Sequence, residues 1–150
     1  MSTPSIRFYS VDDAYGEFSN FARYPIRLNG KQWPTSEHYF QAQKFTDAQI
    51  KERVRRANTP ALAARLGRDR KLPLRRDWDS VKLGVMRLAV QAKFTQHADL
   101  AALLLGTGEA VLIEHTEHDA YWGDGGDGSG ANWLGRILMD VRSHLGQPTR

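Results

Sequence analysis

Val81, Val85, Leu88, Ala89 and Ala92 recur at i, i+4, i+7, i+8 and i+11, the spacing that lines apolar side chains along one stripe of an α-helix. That stripe commits the middle of the chain to a long amphipathic helix, and several helix-start signals surround it. Thr35 can cap a helix running to about Phe45, Thr46 with Gln49 forms a capping-box pattern for a helix from about Asp47 to Ala57, and Thr59-Pro60 marks a third start. Ala98 to Leu105 reads as helix ending at Gly106, and Asn132 is expected to cap a last helix with Leu134, Ile137, Leu138, Val141 and Leu145 on one face. Strands are short: Ile6 to Tyr9, Ala110 to His115, and a hairpin of Tyr24 to Leu28 and Lys31 to Trp33 about the Asn29-Gly30 pair. The expected fold class is α+β, predominantly helical, with a few short strands whose order the pattern leaves open.

The chain has 150 residues, the size of one domain, so residues 1–150 are expected to form a single one. With no cysteine, it can hold no disulfide, thiolate nucleophile or zinc–cysteine site. The start, MSTPSIRFYS, carries no apolar signal core, and no apolar run approaches the roughly 20 residues of a bilayer span. A soluble, cytoplasmic protein without a membrane partner is therefore expected. A net charge of +4 suggests an anionic partner. Arg65, Arg68, Arg70, Lys71, Arg75 and Arg76 fall within twelve residues and are opposed there only by Asp69. Such a cluster can hold phosphate or nucleic acid, or can simply be a solvated basic surface.

Chemistry-bearing residues concentrate in three further places. His118 to Gly135 packs Asp119, Asp124, Asp127, Trp122, Trp133 and six glycines into eighteen residues. Gly123-x-Gly125-x-x-Gly128 has the letters of a dinucleotide fingerprint, but a helix expected to start only after Asn132 and the two acids within the run argue against a pyrophosphate cradle. What remains is a turn that lets backbone approach a ligand, with Trp122 available to stack, or a purely structural turn. Glu114, His115, Glu117, His118 and Asp119 lack the spacing of a zinc helix, and no metal and no cofactor are expected. In SEHYFQAQKF, Glu37, Gln41 and Lys44 share one polar helix stripe flanked by aromatics, a workable acid/base or nucleophile pair as well as an ordinary spaced ion pair. In FSNF, Asn20 can bond a sugar hydroxyl or base edge and a phenylalanine ring can stack, or the asparagine can hold a buried loop together.

Four blocks, FYSVDDAYGEFSNF, WPTSEHYFQAQKF, LGRDRKLPLRRDWDSVK and EHTEHDAYWGDGGDGSG with its following WLG and LM, are similar in order and content to the YbiA-like members of the NADAR superfamily, from about residue 7 to residue 145. The resemblance implies the single-domain fold of that family and a hydrolase of C–N glycosidic bonds. It acts either on ribosylamino-pyrimidine phosphates of riboflavin biosynthesis, releasing ribose 5-phosphate and base, or on ADP-ribose attached to guanine in nucleic acid. A non-catalytic ADP-ribose-binding module is the alternative of a different class. Either substrate presents an anomeric carbon bonded to nitrogen, a flat base and phosphate.

The resemblance and the chemistry of an oxocarbenium-like transition state together assign the candidate residues. Glu37 and Asp119 are the carboxylates, one binding the ribose hydroxyls or activating water and one steadying the cation. Lys44 protonates the leaving group or, as a neutral amine, attacks the anomeric carbon. Trp78 and Trp122 are expected at the base, and Asn20 and Asn132 as polar contacts. Gly16, Phe21 and Gly123 complete the substrate-binding set, the loop glycines bringing backbone N–H groups near phosphate. Arg68 and Arg70, with Lys71, Arg75 and Arg76, supply the positive field. The oligomeric state stays open.

Overall fold

A computed structural model describes residues 3–147. The chain forms two compact units: one holds the residues up to Ala22 and those from Phe94 onward, the other Arg23–Lys93. Element order is β1 (Ser5–Phe8), β2 (Ile26–Leu28), β3 (Lys31–Trp33), α1 (Ser36–Ala42), α2 (Ala48–Arg55), α3 (Pro60–Gly67), α4 (Trp78–Gln96), α5 (Ala98–Gly106), β4 (Val111–Glu114) and α6 (Trp133–Leu145), with a single 3-10 turn at Gly16–Phe18. Helix predominates, as expected.

In the central unit, β2 and β3 pair antiparallel with Ile26 opposite Trp33 and Leu28 opposite Lys31. Asn29 and Gly30 turn at φ 55° and 75°, the left-handed pair that a tight primed hairpin needs. The turn sets the register, so Ile26 and Trp33 fall on the same face and enter the core with Tyr39, Ala42, Phe45, Val54, Ala63, Ala89 and Ala92. Thr35 caps α1 by accepting from the His38 amide, and Thr59 caps α3 by accepting from Leu62, with Pro60 opening that helix. The start of α2 differs from expectation. Asp47, not Thr46, is its cap, and its carboxylate accepts from the amides of Gln49 and Ile50. The stripe of α4 is also rotated: Leu88 is 51% exposed, while Met86, Val90 and Lys93 join Ala89 and Ala92 in burial. Simple 3.6-residue spacing does not choose between stripes one residue apart when small and large apolar side chains mix.

His38 fastens this unit. Its Nε2 lies 2.9 Å from the Ala57 carbonyl and its Nδ1 2.8 Å from the Thr35 hydroxyl. A carbonyl can only accept, so Nε2 carries the proton and Nδ1 takes the bond from Thr35. Burial pushes the imidazole below its ordinary 6.5, against the Ala57 bond and with help from Arg23. Since the folded value is the lower one, this contribution to stability is complete above about pH 6.5 and is lost as pH falls through the folded value. Urea midpoints are therefore expected to drop on acidification from pH 7.5 to 5. A His38→Gln protein should start about 1–3 kcal/mol less stable at pH 7.5 and show a shallower acid decline.

In the other unit, β1 and β4 pair in parallel, Ser5 opposite Val111 through Phe8 opposite Glu114. Phe18 is the aromatic hub, edge-on to Phe8 at 5.6 Å and tilted against Phe94 at 5.8 Å. The last helix runs as expected, its Leu134, Ile137, Leu138 and Val141 buried, but Asn132 does not cap it through its side chain. At φ 55°, that residue turns its amide sideways, accepting from Glu114 N at 3.0 Å and donating to Leu112 O at 2.9 Å. It stitches the start of α6 to strand β4. Gly135 completes the seam, because a Cβ there would collide with the Leu112 carbonyl and the Asn132 amide. Among the described residues no helix is long and apolar enough to cross a membrane.

Candidate active site

Just past the end of α1 lies a cleft of about 420 Å³ whose lining includes Lys44, Gly67, Arg68, Asp69, Arg70 and Trp78. Lys44 reaches the cleft from beyond the regular end of α1. Regular hydrogen bonding in that helix ends at Ala42 rather than at the expected Phe45, and the last turn tightens, Lys44 N reaching Gln41 O and Phe45 N reaching Ala42 O at 3.2 Å each. This tightening takes Lys44 off the helical stripe and sets it against α3, where Nζ lies 3.4 Å from the carbonyl of Gly67.

The ammonium of Lys44 is half-buried and stands 5.9 Å from the centres of both the Phe40 and Trp78 rings. Phe40 and Trp78 pack edge to face at 5.1 Å. Burial pushes Lys44 below the usual lysine range; Glu37 opposes this through its charge, while Arg68 and Lys82 add to it. The charged form is favoured by the two rings and disfavoured by loss of water. Desolvation wins.

Glu37, on α1 seven residues before Lys44, is itself buried, and its Oε1 accepts from Gln41 Nε2 at 2.7 Å. Glu37, Lys44, Trp78, Arg68 and Arg70 are thus all placed in the central unit, four of them on the cleft wall. Asp69 also lines the cleft and Arg75 lies nearby in sequence, and both bond within the loop. Arg75 pairs with Asp77 at 2.6 Å and its amide donates to Lys44 O at 2.8 Å, while the Asp69 carboxylate accepts from Lys71 N at 2.9 Å. The expectation that Arg75 joins the phosphate-binding field is therefore corrected to a structural role, since its guanidinium is already engaged by a carboxylate.

The remaining candidates belong to the other unit. Gly16 is buried where a Cβ would strike the backbone of Val11 and Ser10, which accounts for the glycine by close approach of chain to chain. Asn20 is buried, and Phe21 is 39% exposed. Asp119 uses Oδ1 to accept from the amides of Tyr121 and Trp122, at 2.9 and 2.8 Å. Trp122 stands edge-on to Tyr121 at 4.8 Å. A Cβ on Gly123 would come within 2.9 Å of the Glu114 and Asp119 carbonyls and of Thr116 Cγ2.

The glycine loop differs from the phosphate cradle its composition suggests. Gly125 donates to Asp119 O, Gly126 to Asp124 Oδ1, and Gly128 and Gly130 to Asp124 O. These amides close the loop on itself and do not point toward a ligand. Asp124, which composition alone did not separate from Asp119 and Asp127, is the buried acid at its centre, accepting from Thr116 N at 3.1 Å and from His115 Nδ1 at 2.8 Å. Burial would raise its carboxyl, but the bonds from His115, Gly126 and Thr116 outweigh that and hold it below the usual range. An aspartate two residues before a glycine, the pattern of an Asx turn, is the signal that marks it.

Residues 7–146 match the NADAR domain family. The chain is 61% identical to N-glycosidase YbiA of Escherichia coli K12 over 145 residues, which is 97% of this chain and 91% of that protein. It is 49% identical to a riboflavin biosynthesis protein of Vibrio vulnificus over 93% of this chain and 38% of that longer protein. The NMR structure of the E. coli protein YbiA superposes with a TM-score of 0.89 at 61% identity, covering 97% of this chain and 86% of that one. With a match through nearly its whole described length, the chain belongs to the NADAR domain family.

Proposed function

We propose that this protein is an N-glycosidase that hydrolyses the C–N bond of ribosylamino-pyrimidine phosphates formed in riboflavin biosynthesis, working in the cytoplasm, and that both compact units belong to one NADAR domain. The observation that carries the reading is the cleft in which the desolvated Lys44, just beyond the helix that carries Glu37, faces Arg68, Arg70 and Trp78. The arginines suit a phosphate and the indole suits a flat base. As the C–N bond breaks, water adds to the anomeric carbon. Its proton goes to Glu37, and the leaving nitrogen takes one from Lys44, so that free base and ribose 5-phosphate result. The lowered lysine also favours a second route, in which the neutral amine displaces the base, the ring opens to a Schiff base, and water then releases the sugar.

Asp119 is proposed to use its carboxylate on the sugar, and Trp122, Asn20, Asn132, Gly16, Phe21 and Gly123 to shape the binding surface of their own unit. Support for these is the family resemblance. The test is an incubation of purified protein, without added metal or nucleotide, with the ribosylamino-pyrimidine phosphate and, side by side, with ADP-ribosylated guanine in DNA. Release of base and ribose 5-phosphate from the first is expected, with loss of roughly 10²–10⁴-fold in kcat for Glu37→Gln. Release of ADP-ribose alone moves the substrate to nucleic acid. Binding of ADP-ribose without any product makes the protein a reader, not an enzyme.

A further inference from the structure

Gln41 of α1 lies in sequence between Glu37 and Lys44, the two reacting side chains, and takes no part itself in the bond cleavage described above. It is 5% exposed, its Nε2 donates to Glu37 Oε1 at 2.7 Å, and its Oε1 has no hydrogen-bond partner among the described residues. A buried acceptor left without a donor is destabilising, so this amide is held in an orientation that does not satisfy it. Turning it over would place Oε1 against a carboxylate oxygen, which no ionised Glu37 tolerates. The orientation is thus dictated by Glu37.

The fold makes room for that orientation from the other side. A Cβ on Gly67 would overlap Gln41 Oε1 and come within 2.7 Å of its Cδ. Bare backbone at the end of α3 lets the amide lie flat, and the same glycine's carbonyl receives Lys44. One residue of α3 therefore seats both neighbours of Glu37. An apolar side chain at position 41 would fill the space without an orphaned oxygen, and the polar one is kept at a cost to stability.

We infer that Gln41 is the positioning residue for the Glu37 carboxylate, fixing its orientation and favouring its ionised form through a charge-assisted hydrogen bond, with Gly67 as the seat that permits it. The inference rests on the role given to Glu37 above. Charged groups near the pair include Lys44 and, acting on Lys44, Arg68 and Lys82; they are common to every variant below.

Steady-state kinetics with the ribosylamino-pyrimidine phosphate test it. Gln41→Met removes the donor at similar length and should lower kcat about 10- to 100-fold with KM within about threefold, the loss expected for a hydrogen bond to a charged group. Gln41→Glu keeps the shape but sets a second carboxylate against Glu37, so the acid limb of kcat/KM should move up by about one pH unit or more. An unchanged kcat in the first variant or an unmoved limb in the second overturns the inference. Should a variant lose its native circular dichroism, the unaltered protein decides by NMR. The Gln41 side-chain amide resonances should follow the Glu37 carboxyl carbon through one shared titration, and amide signals that stay fixed while Glu37 titrates overturn the inference. Full turnover by Glu37→Gln would instead remove the chemical role of Glu37 while leaving the amide titration readable, so the two failures are separable.

Discussion

Lys44→Met is expected to lower kcat by about 10³-fold, with a comparable loss for Lys44→Arg. The pairing of the two variants is what makes the result informative. Arginine preserves the positive charge beside the Phe40 and Trp78 rings, so a side chain that merely steadied phosphate or stacked on aromatics would be largely rescued. A guanidinium does not give up its proton near neutrality, and so it can act neither as a proton donor of matched strength nor as an amine nucleophile. Burial lowers Lys44 from its ordinary 10.5, which brings both roles closer to working pH. The sign differs between them: donation weakens as pH rises through the lowered value, whereas attack by the neutral amine strengthens. Borohydride added during turnover separates the routes, since a Schiff base would leave the reduced sugar attached to Lys44 and direct hydrolysis would leave the protein mass unchanged.

Gly135→Ala is expected to cause a large loss of stability for a single added methyl group. The new Cβ would meet the carbonyl of Leu112 and both ends of the Asn132 amide. The first belongs to strand backbone, which cannot rotate away, and the second is already bonded on both sides to β4. Overpacking of this kind costs about 3 kcal/mol or more, and for a chain of this length that corresponds to about 10 °C in Tm. Differential scanning calorimetry checks it. A Tm within two degrees of the parent would mean that α6 moves off β4 more freely than its bonds indicate.

Much of the fold was legible because its signals are local. Thr35 and Thr59-Pro60 mark helix starts by side-chain chemistry that acts over three residues, and Asn29-Gly30 fixes a hairpin by its own φ angles. The misreadings share a different origin. Asp47 outcompeted Thr46 as a cap although both types suit the position, because the chain's path into α2, not residue preference, decides which oxygen meets the free amides. Asn132 looked like a cap and became a cross-link, since β4 lies eighteen or more residues earlier and only folding brings it near. The candidate site divides in the same way. The spacing of Glu37, Gln41 and Lys44 was visible, but the tightened turn that sets Lys44 on Gly67 depends on α3 and was not.

The closed bonding of the segment from Asp119 to Asn132 has a further consequence. Glycines are the residues whose immobilisation removes the most backbone freedom, and here Gly125, Gly126, Gly128 and Gly130 are already tied to Asp119 and Asp124 within the segment. Their ordering is completed when the chain folds, so under the role proposed for Asp119 and Trp122 a substrate would meet a preassembled bracket and its affinity would not be diminished by having to freeze one.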